Sequence, residues 1–470
     1  VSIVRANAFH TPLRDGSVNL VVTSPPYWSF RSYRDGGEHV EGQVGDELEP
    51  VGFLRNLWAV MDDLWRVTAA DASVFINLGD KQAGSGGHNN SGIVGATSIF
   101  RENARAIIEA RDTAVSRRDS PDRYLQASYV RDKSLHLLPH AFALGCIAPE
   151  LYREPFDPST VVQDWARMQL VQAGHPQWIC RAEIIWFKPN GMPESAADRV
   201  RRNHEVWFHF VKQRRYFYSV DEIAEPYAAR SLERAKHAAH RHEGRTGTPG
   251  EDRDADEFQP WEPSPLGKLP GSVWTIPTAQ LVIPEEVRAY YHLPKHHAPF
   301  PIEWPRKLIM GWSPAGICTE CGTGRHRRRG TVCEECGEFR PLQSKACPEC
   351  GYVRNWRENR QAMAELNSDW SQNGAGAPRV PGKHTNQSIM GELVCNCDEA
   401  TAPTRPAVVL DPFSGTGTSA MVARSLGRIG IGVDLSWDYC RLGDWRVHHS
   451  GHGGKVQSRV DAERQGLLFG

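Results

Sequence analysis

Two runs of this sequence carry side chains suited to chemistry on a flat ring that bears an amine. The first is Thr23-Ser24-Pro25-Pro26-Tyr27-Trp28, which follows the apolar strand pattern Val18–Val22 directly. Pro25 and Pro26 stiffen the backbone and remove two N–H donors, so the nearby carbonyls have no competing local partner. Ser24 adds a hydroxyl that can accept a hydrogen bond, and Tyr27 adds an aromatic face. The lone pair of an exocyclic amine is conjugated into its ring, which makes the amine a poor nucleophile. Hydrogen bonds from its hydrogens to Ser24 and to the Pro25 carbonyl favour a pyramidal nitrogen while Tyr27 stacks on the ring. Such an amine can attack a methyl sulfonium in line, without a covalent enzyme intermediate. A Pro-Pro pair is by itself only a stiff turn; its place after a strand, between Ser and Tyr, favours the functional reading.

The second run spans Ala407–Asp434, AVVLDPFSGTGTSAMVARSLGRIGIGVD. A buried strand ends at Asp411, a turn through Phe413, Ser414, Gly415 and Gly417 follows, and a helix begins near Thr418. The two glycines let the backbone approach a ligand at the carboxyl end of the strand. A second strand ends in Asp434, 23 residues after Asp411, where an acidic residue accepts hydrogen bonds from ribose hydroxyls. The run has no Lys for a phosphate loop and lacks the three spaced glycines of a dinucleotide site. A strand–helix turn without a ligand is the plainer alternative.

Eight of the eleven cysteines form four pairs: Cys318/Cys321, Cys333/Cys336, Cys347/Cys350 and Cys395/Cys397. The first three are CxxCG knuckles, in which the glycine permits a turn that points backbone N–H groups at sulfur. Eight thiolates make two four-cysteine structural zinc sites. Cys333 to Cys350 is compact enough for one ribbon, which leaves Cys318/Cys321 to pair with Cys395/Cys397; a sequential pairing is the alternative. Cys146, Cys180 and Cys440 remain as ordinary thiols, and the metal pattern implies a reduced, cytoplasmic setting.

These residues must be held by a sizeable core. The 470 residues carry 55 Lys+Arg against 56 Asp+Glu, which excludes a generally basic nucleic-acid coat but not local patches. No apolar run reaches the length of a membrane span, and no signal peptide pattern opens the chain at Val1. Leu54, Leu57, Met61, Leu64 and Trp65 fall at helical spacing over Phe53–Val67. Strand patterns recur at Ser73–Leu78, Ala182–Phe187 and Glu205–Val211. Strands alternating with helices predict an α/β fold with a largely parallel, Rossmann-like sheet.

TSPPYW together with DPFSGTGT resembles the S-adenosylmethionine-dependent amino-methyltransferases of DNA, which act on cytosine N4 or adenine N6. The catalytic run precedes the cofactor run, the circularly permuted order of the family's β group. Further blocks also resemble the family: Asn77-Leu78-Gly79-Asp80, Lys133–Leu144, Arg181–Glu205 and His296–Ile309. The resemblance implies a catalytic Ser24-Pro25-Pro26-Tyr27 loop. It implies cofactor contacts from Asp411, Phe413, Ser414, Gly415, Gly417, Thr418 and Asp434, with Phe300 and Pro301 from the covering segment. Ser24 in the first motif position implies cytosine N4, with adenine N6 as the alternative. A cytosine C5 enzyme would need a nucleophilic Cys in a Pro-Cys pair, and the chain has none.

The resulting organisation places residues 1–82 and 133–225 in the catalytic half, with an insertion at 83–132. A target-recognition region follows at 226–292, a cofactor-covering segment at 293–315 and a zinc-ribbon insert at 316–400. The cofactor half spans 401–447 and a polar tail 448–470. Residues 199–245 hold eleven Lys+Arg against six Asp+Glu, and Arg327–Arg329 adds a second basic cluster, so phosphate contacts are expected there. DNA is the implied substrate, and a cognate restriction endonuclease the partner such an enzyme implies. A zinc-ribbon nucleic-acid-binding protein on an inactive methyltransferase core is the reading from another class; the intact Ser24, Tyr27, Gly415, Gly417 and Asp434 speak against it.

Overall fold

The computed structural model describes residues 2–28, 34–35, 38–40, 42–47, 49–83, 130–131, 133–153, 175–191, 198–233, 267–279, 281, 283, 285–290, 292, 301–332, 339–341, 349, 389–397 and 401–448. Phe300 of the expected cofactor pocket lies outside them. So do Cys333, Cys336, Cys347 and Cys350, the four ligands expected for the second zinc site, and the region 83–132 apart from Ala83, Val130 and Arg131. The chain forms two compact units: 1–218 with 271–317 and 404–470, and 219–270 with 318–403.

The first unit is built on an eight-stranded sheet. In chain order its first elements are β1 (Ser2–Arg5), β2 (Val18–Thr23), the short ladder β3 (Arg34–Asp35) with β4 (Glu38–His39), helix α1 (Pro50–Val67) and β5 (Thr68–Leu78). Helices α2 (Leu138–Ile147) and α3 (Pro149–Tyr152) follow, then β6 (Ile179–Phe187), β7 (His204–Val211) and β8 (Val273–Thr275). Helices α4 (Glu285–Tyr290) and α5 (Glu303–Trp312) lead to β9 (Ile317–Cys318). The chain returns through β13 (Thr404–Arg405) to β14 (Val408–Asp411), α6 (Thr418–Ser425), β15 (Ile429–Asp434) and α7 (Trp437–His448). The sheet order is β1-β15-β14-β2-β5-β7-β6-β8, so strands from the two ends of the chain interleave at its centre.

The left five strands are parallel, whereas β7 runs antiparallel to both β5 and β6. Since β8 runs parallel to β6, seven of the eight strands point the same way and β7 alone is reversed: the sheet is largely parallel, with one antiparallel strand. β7 returns antiparallel along the whole of β6, from His204 opposite Phe187 to Val211 opposite Ile179. This reversal puts the start of β7 beside the end of β5, with Val206 opposite Leu78.

Every residue of β2 is buried, as a central strand covered on both faces requires. Its register shifts between Val18 and Leu20, which lets Val18 and Val21 share one face. There they join Phe53, Leu57, Met61 and Leu64 of α1 and Phe142 of α2 in one core cluster. On the other side, Trp312 of α5 meets Phe75 edge-on at 4.9 Å. Trp304 of α5 stacks on Trp207 at 4.7 Å and on Trp274 at 4.9 Å. Buried aromatic contacts of this kind hold α5 against β5, β7 and β8.

In the second unit, β10 (His326–Val332) pairs antiparallel with β11 (Phe339–Pro341) and with β12 (Ile389–Val394). Among the described residues, no helix is long and apolar enough to cross a membrane.

Candidate active site

The carboxyl ends of β2, β14 and β15 lie side by side, and the two motif runs leave the sheet there. Asp411, the last residue of β14, is 1% exposed. Its carboxylate takes hydrogen bonds from the Thr23 hydroxyl (2.6 Å), the Ser419 hydroxyl (2.8 Å) and the Phe413 amide (3.2 Å). Ser419 also reaches the Val22 carbonyl at 3.1 Å. Burial pushes the Asp411 carboxyl up to about 6 against these bonds, which favour its charged form. The side chain is turned into the protein, tying the strand before Ser24 to the strand before Gly415.

The turn itself is shaped by its glycines. Gly415 (φ +47°) and Gly417 (φ +71°) occupy the left-handed region that L side chains avoid. A Cβ on Gly417 would lie 2.8 Å from the Cα of Gly443, so α7 packs directly on the turn. At Gly415 a Cβ would meet only the Phe413 carbonyl, at 4.0 Å, and so would project into open space above the strand ends. The Gly415 amide and the Ser436 amide each donate to Asp434 at 2.9 Å. Burial pushes the Asp434 carboxyl up to about 6, opposed by those two amides. Ser414 donates its amide to the Val433 carbonyl, while its buried hydroxyl has no hydrogen-bond partner among the described residues. Pro301 is buried at the start of α5, where its carbonyl accepts from the Trp304 amide.

Below the turn lies Arg446 of α7, 6% exposed, a residue to which the sequence reading gave no role. Its guanidinium donates to the Thr416 carbonyl (2.7 Å), the Thr416 hydroxyl (2.6 Å) and the Thr418 hydroxyl (2.9 Å). These partners are neutral, and burial pushes the group down to about 10.

The Ser24–Tyr27 loop is braced from the end of β5 and the start of β7. Ser24 donates its hydroxyl to Asn77 Oδ1 at 3.2 Å. The Tyr27 phenol lies 2.7 Å from both Asn77 Oδ1 and Glu205 Oε2, its one proton set between two acceptors. Asn77, at the end of β5, donates to the Val206 carbonyl, and Lys188 is ion-paired with Glu205 while sitting 4.3 Å over the Trp186 ring. The ring of Tyr27 rests on Gly79, where a Cβ would come within 2.5 Å of it. Pro25 is buried, and Trp28 donates its indole N–H to the Glu47 carbonyl. Asp80 accepts from the Leu137 and Leu138 amides and so caps α2.

Asn77, Lys188 and Glu205 sit in blocks the sequence singled out, yet only the hairpin of β6 and β7 brings them to Tyr27. Among the described residues of this unit, the three cysteines outside the knuckles are not activated thiols. Burial pushes Cys146 and Cys180 up, and Cys440 up to about 12, as expected of core cysteines.

In the second unit, the sulfurs of Cys318, Cys321, Cys395 and Cys397 all lie within 4.8 Å of one another. This is the nested pairing rather than the sequential one. The expected partner site of Cys333, Cys336, Cys347 and Cys350 falls outside the described residues.

Comparison with known proteins fits this geometry. A family model described as DNA methylase matches residues 18–317 and 401–444. The type II methyltransferase M.SfiI of Streptomyces fimbriatus is 26% identical over 454 residues, 91% of this chain and 86% of that protein. The type II methyltransferase M.XycI of Xanthomonas campestris pv. cyanopsidis is 32% identical over 215 residues, 46% of this chain and 54% of that protein. The match thus spans about half the length of M.XycI. Among solved structures, PvuII DNA methyltransferase (cytosine-N4-specific) aligns over 98% of this chain and 92% of that one, at 10% identity and a TM-score of 0.43.

Proposed function

From the premise that this chain belongs to the DNA methylase family of S-adenosylmethionine-dependent amino-methyltransferases, we propose that it methylates the N4 amine of a cytosine flipped out of duplex DNA. The observation that carries this reading is the commitment of the Ser24 proton to Asn77. A hydroxyl whose proton is engaged behind it presents lone pairs in front, and so acts as an acceptor. With the Pro25 carbonyl, Ser24 then offers two acceptors to the two hydrogens of one amine. Tyr27 supplies the stacking face, and Asn77, Gly79 and Glu205 fix the plane of that face.

S-Adenosylmethionine, when bound, supplies a methyl group activated on a sulfonium. The residues fit it: the bare turn at Gly415 leaves space that any side chain would fill, and Asp434 stands beside it as an acceptor for ribose hydroxyls. Phe413, Ser414, Gly417, Thr418 and, from the covering segment, Phe300 and Pro301 complete our assignment of that pocket. Asp411 and Arg446 act behind it, holding the turn in shape.

Serine in the first motif position is what favours cytosine N4; adenine N6 is the alternative within the same pocket. The circularly permuted order, the recognition role of 226–292 and phosphate contacts from the basic 199–245 segment complete the reading, with a cognate endonuclease as its biological partner. The test is incubation of the purified protein with labelled cofactor and DNA, followed by separation of nucleosides. N4-methylcytosine is expected. N6-methyladenine instead overturns the base assignment, and no incorporation on any DNA overturns the enzyme.

A further inference from the structure

We propose that Cys318, Cys321, Cys395 and Cys397 hold one structural zinc ion, and that this ion ties together the two ends of the 318–403 segment. Tetrahedral zinc with Zn–S distances of about 2.3 Å places its sulfurs about 3.8 Å apart. The four sulfurs already lie within 4.8 Å of one another, so small side-chain rotations complete the site. Among the described residues, no carboxylate or histidine joins them, and four thiolates leave no open position for substrate, which makes the site structural.

The first knuckle is preformed. The Cys318 amide donates to the Thr323 carbonyl at 2.9 Å and the Gly322 amide to the Cys318 carbonyl at 3.0 Å, with Gly322 at φ +72°. Thr323 Oγ1 lies 3.0 Å from the Cys321 sulfur and accepts from the Asn396 amide at 3.3 Å. One hydroxyl thereby links the two knuckles and donates to a ligand sulfur, as the outer partners of zinc sites do.

The location gives the ion its task. Cys318 and Cys321 begin the 318–403 segment, and Cys395 and Cys397 follow directly on β12, whose Val394 pairs with His326 of β10. Thr319 closes the same base by donating its amide and hydroxyl to the Pro403 carbonyl. Among the described residues of this unit, the buried apolar side chains are Cys318, Val394, Cys395 and Ala402. Two of the four are ligands. At the base where the segment begins and ends, the ligand thiols are thus themselves half of the buried apolar side chains among the unit's described residues, and a metal joining them holds the two ends together.

The whole chain purified without chelator, its Cys318→Ser and Cys395→Ser variants, and protein refilled with Co(II) provide the test. Each variant should contain one zinc fewer per chain than the parent, whatever the remaining cysteines bind. Co(II) protein should show intense sulfur-to-metal charge-transfer absorption that each variant weakens. Proteolysis within 318–403 should accelerate in both variants, while calorimetric S-adenosylmethionine affinity stays within twofold of the parent. Unchanged zinc content in both variants, or thiols that react with maleimide only after reduction, overturns the site. Cofactor affinity lost along with zinc overturns its confinement to the second unit. Should the variants fail to fold, chelation of the parent followed by zinc refilling reads the same proteolysis and affinity. A parent that binds zinc but no cofactor would sink the methyltransferase reading and leave the metal site standing.

Discussion

The Thr23 hydroxyl donates to Asp411 across 2.6 Å, joining the strand that enters the Ser24–Tyr27 loop to the strand that enters the Gly415–Gly417 turn. One buried carboxylate thus sets the spacing of the two halves of the pocket. Thr23→Val keeps the shape and removes the donor. A hydrogen bond to a buried charge is worth about 1.5–3 kcal/mol, so denaturant unfolding should show a loss of that size. Turnover should fall by about tenfold, because the loop and the turn lose their common anchor.

Ser24→Ala removes the acceptor and leaves the Pro25 carbonyl alone. Turnover should drop by about a hundredfold, the usual scale for one donor or acceptor acting in a transition state. The melting temperature should scarcely move, since the bond to Asn77 is long at 3.2 Å. Full activity in this variant would refute the assigned role.

Tyr27→Phe keeps the stacking face and gives up both phenol contacts, whereas Tyr27→Ala gives up the face as well. The first should cost about tenfold in kcat and the second far more. Glu205→Gln should resemble Tyr27→Phe, and the double variant should cost less than the two combined, because both act on one contact. Additive losses measured by steady-state kinetics would separate Glu205 from Tyr27.

Asp434 and Asp411 are both raised to about 6, with opposite consequences for folding and for binding. Each carboxyl holds its proton more tightly folded than unfolded. Their contribution to stability is therefore full below about pH 4 and lost as pH rises through about 6. Ribose recognition needs the charged form of Asp434, so cofactor affinity should fall about tenfold from pH 7.5 to 5. Calorimetry across that range should show the fall, and Asp434→Asn should bind weakly with a flatter profile.

Arg446→Met leaves the Thr416 carbonyl and two threonine hydroxyls without their donor. Cofactor binding should weaken by about tenfold or more through a loosened turn. Stability should change less, because removing a buried cation offsets part of the lost bonding. Arg446→Lys, with a point charge in place of a fork, should recover only part of the affinity. Titration of cofactor against each variant and a thermal melt distinguish the two effects.

What can be read along the chain is what local pattern dictates. The α1 periodicity, the buried β2 strand, the glycine turn and the start of α6 at Thr418 all follow from spacing and conformational freedom. The nested cysteine pairing follows from the compactness of Cys333–Cys350. The braces are not legible. Glu205 reads as the polar start of a strand, and only the antiparallel return of β7 sets it against Tyr27. Arg446 reads as the basic last turn of a helix, which is what a solvated end also looks like. Asp411 reads as a ligand from its place in the motif, but its hydrogen bonds point inward. Long-range polar partners leave no periodicity for a sequence to display.

The centre of the sheet also has a timetable. β2 needs β14 on one side, and β1 needs β15, yet 388 residues separate Thr23 from the Asp411 it binds. At roughly 5–20 residues per second, a ribosome takes roughly 20–80 s to cover that interval. Throughout it, an apolar strand destined for the middle of a sheet has one open edge, the kind of surface that invites pairing with other chains. The nascent protein must therefore be shielded for the whole of that interval, and the pocket for the cofactor can close only after Asp434 has left the ribosome.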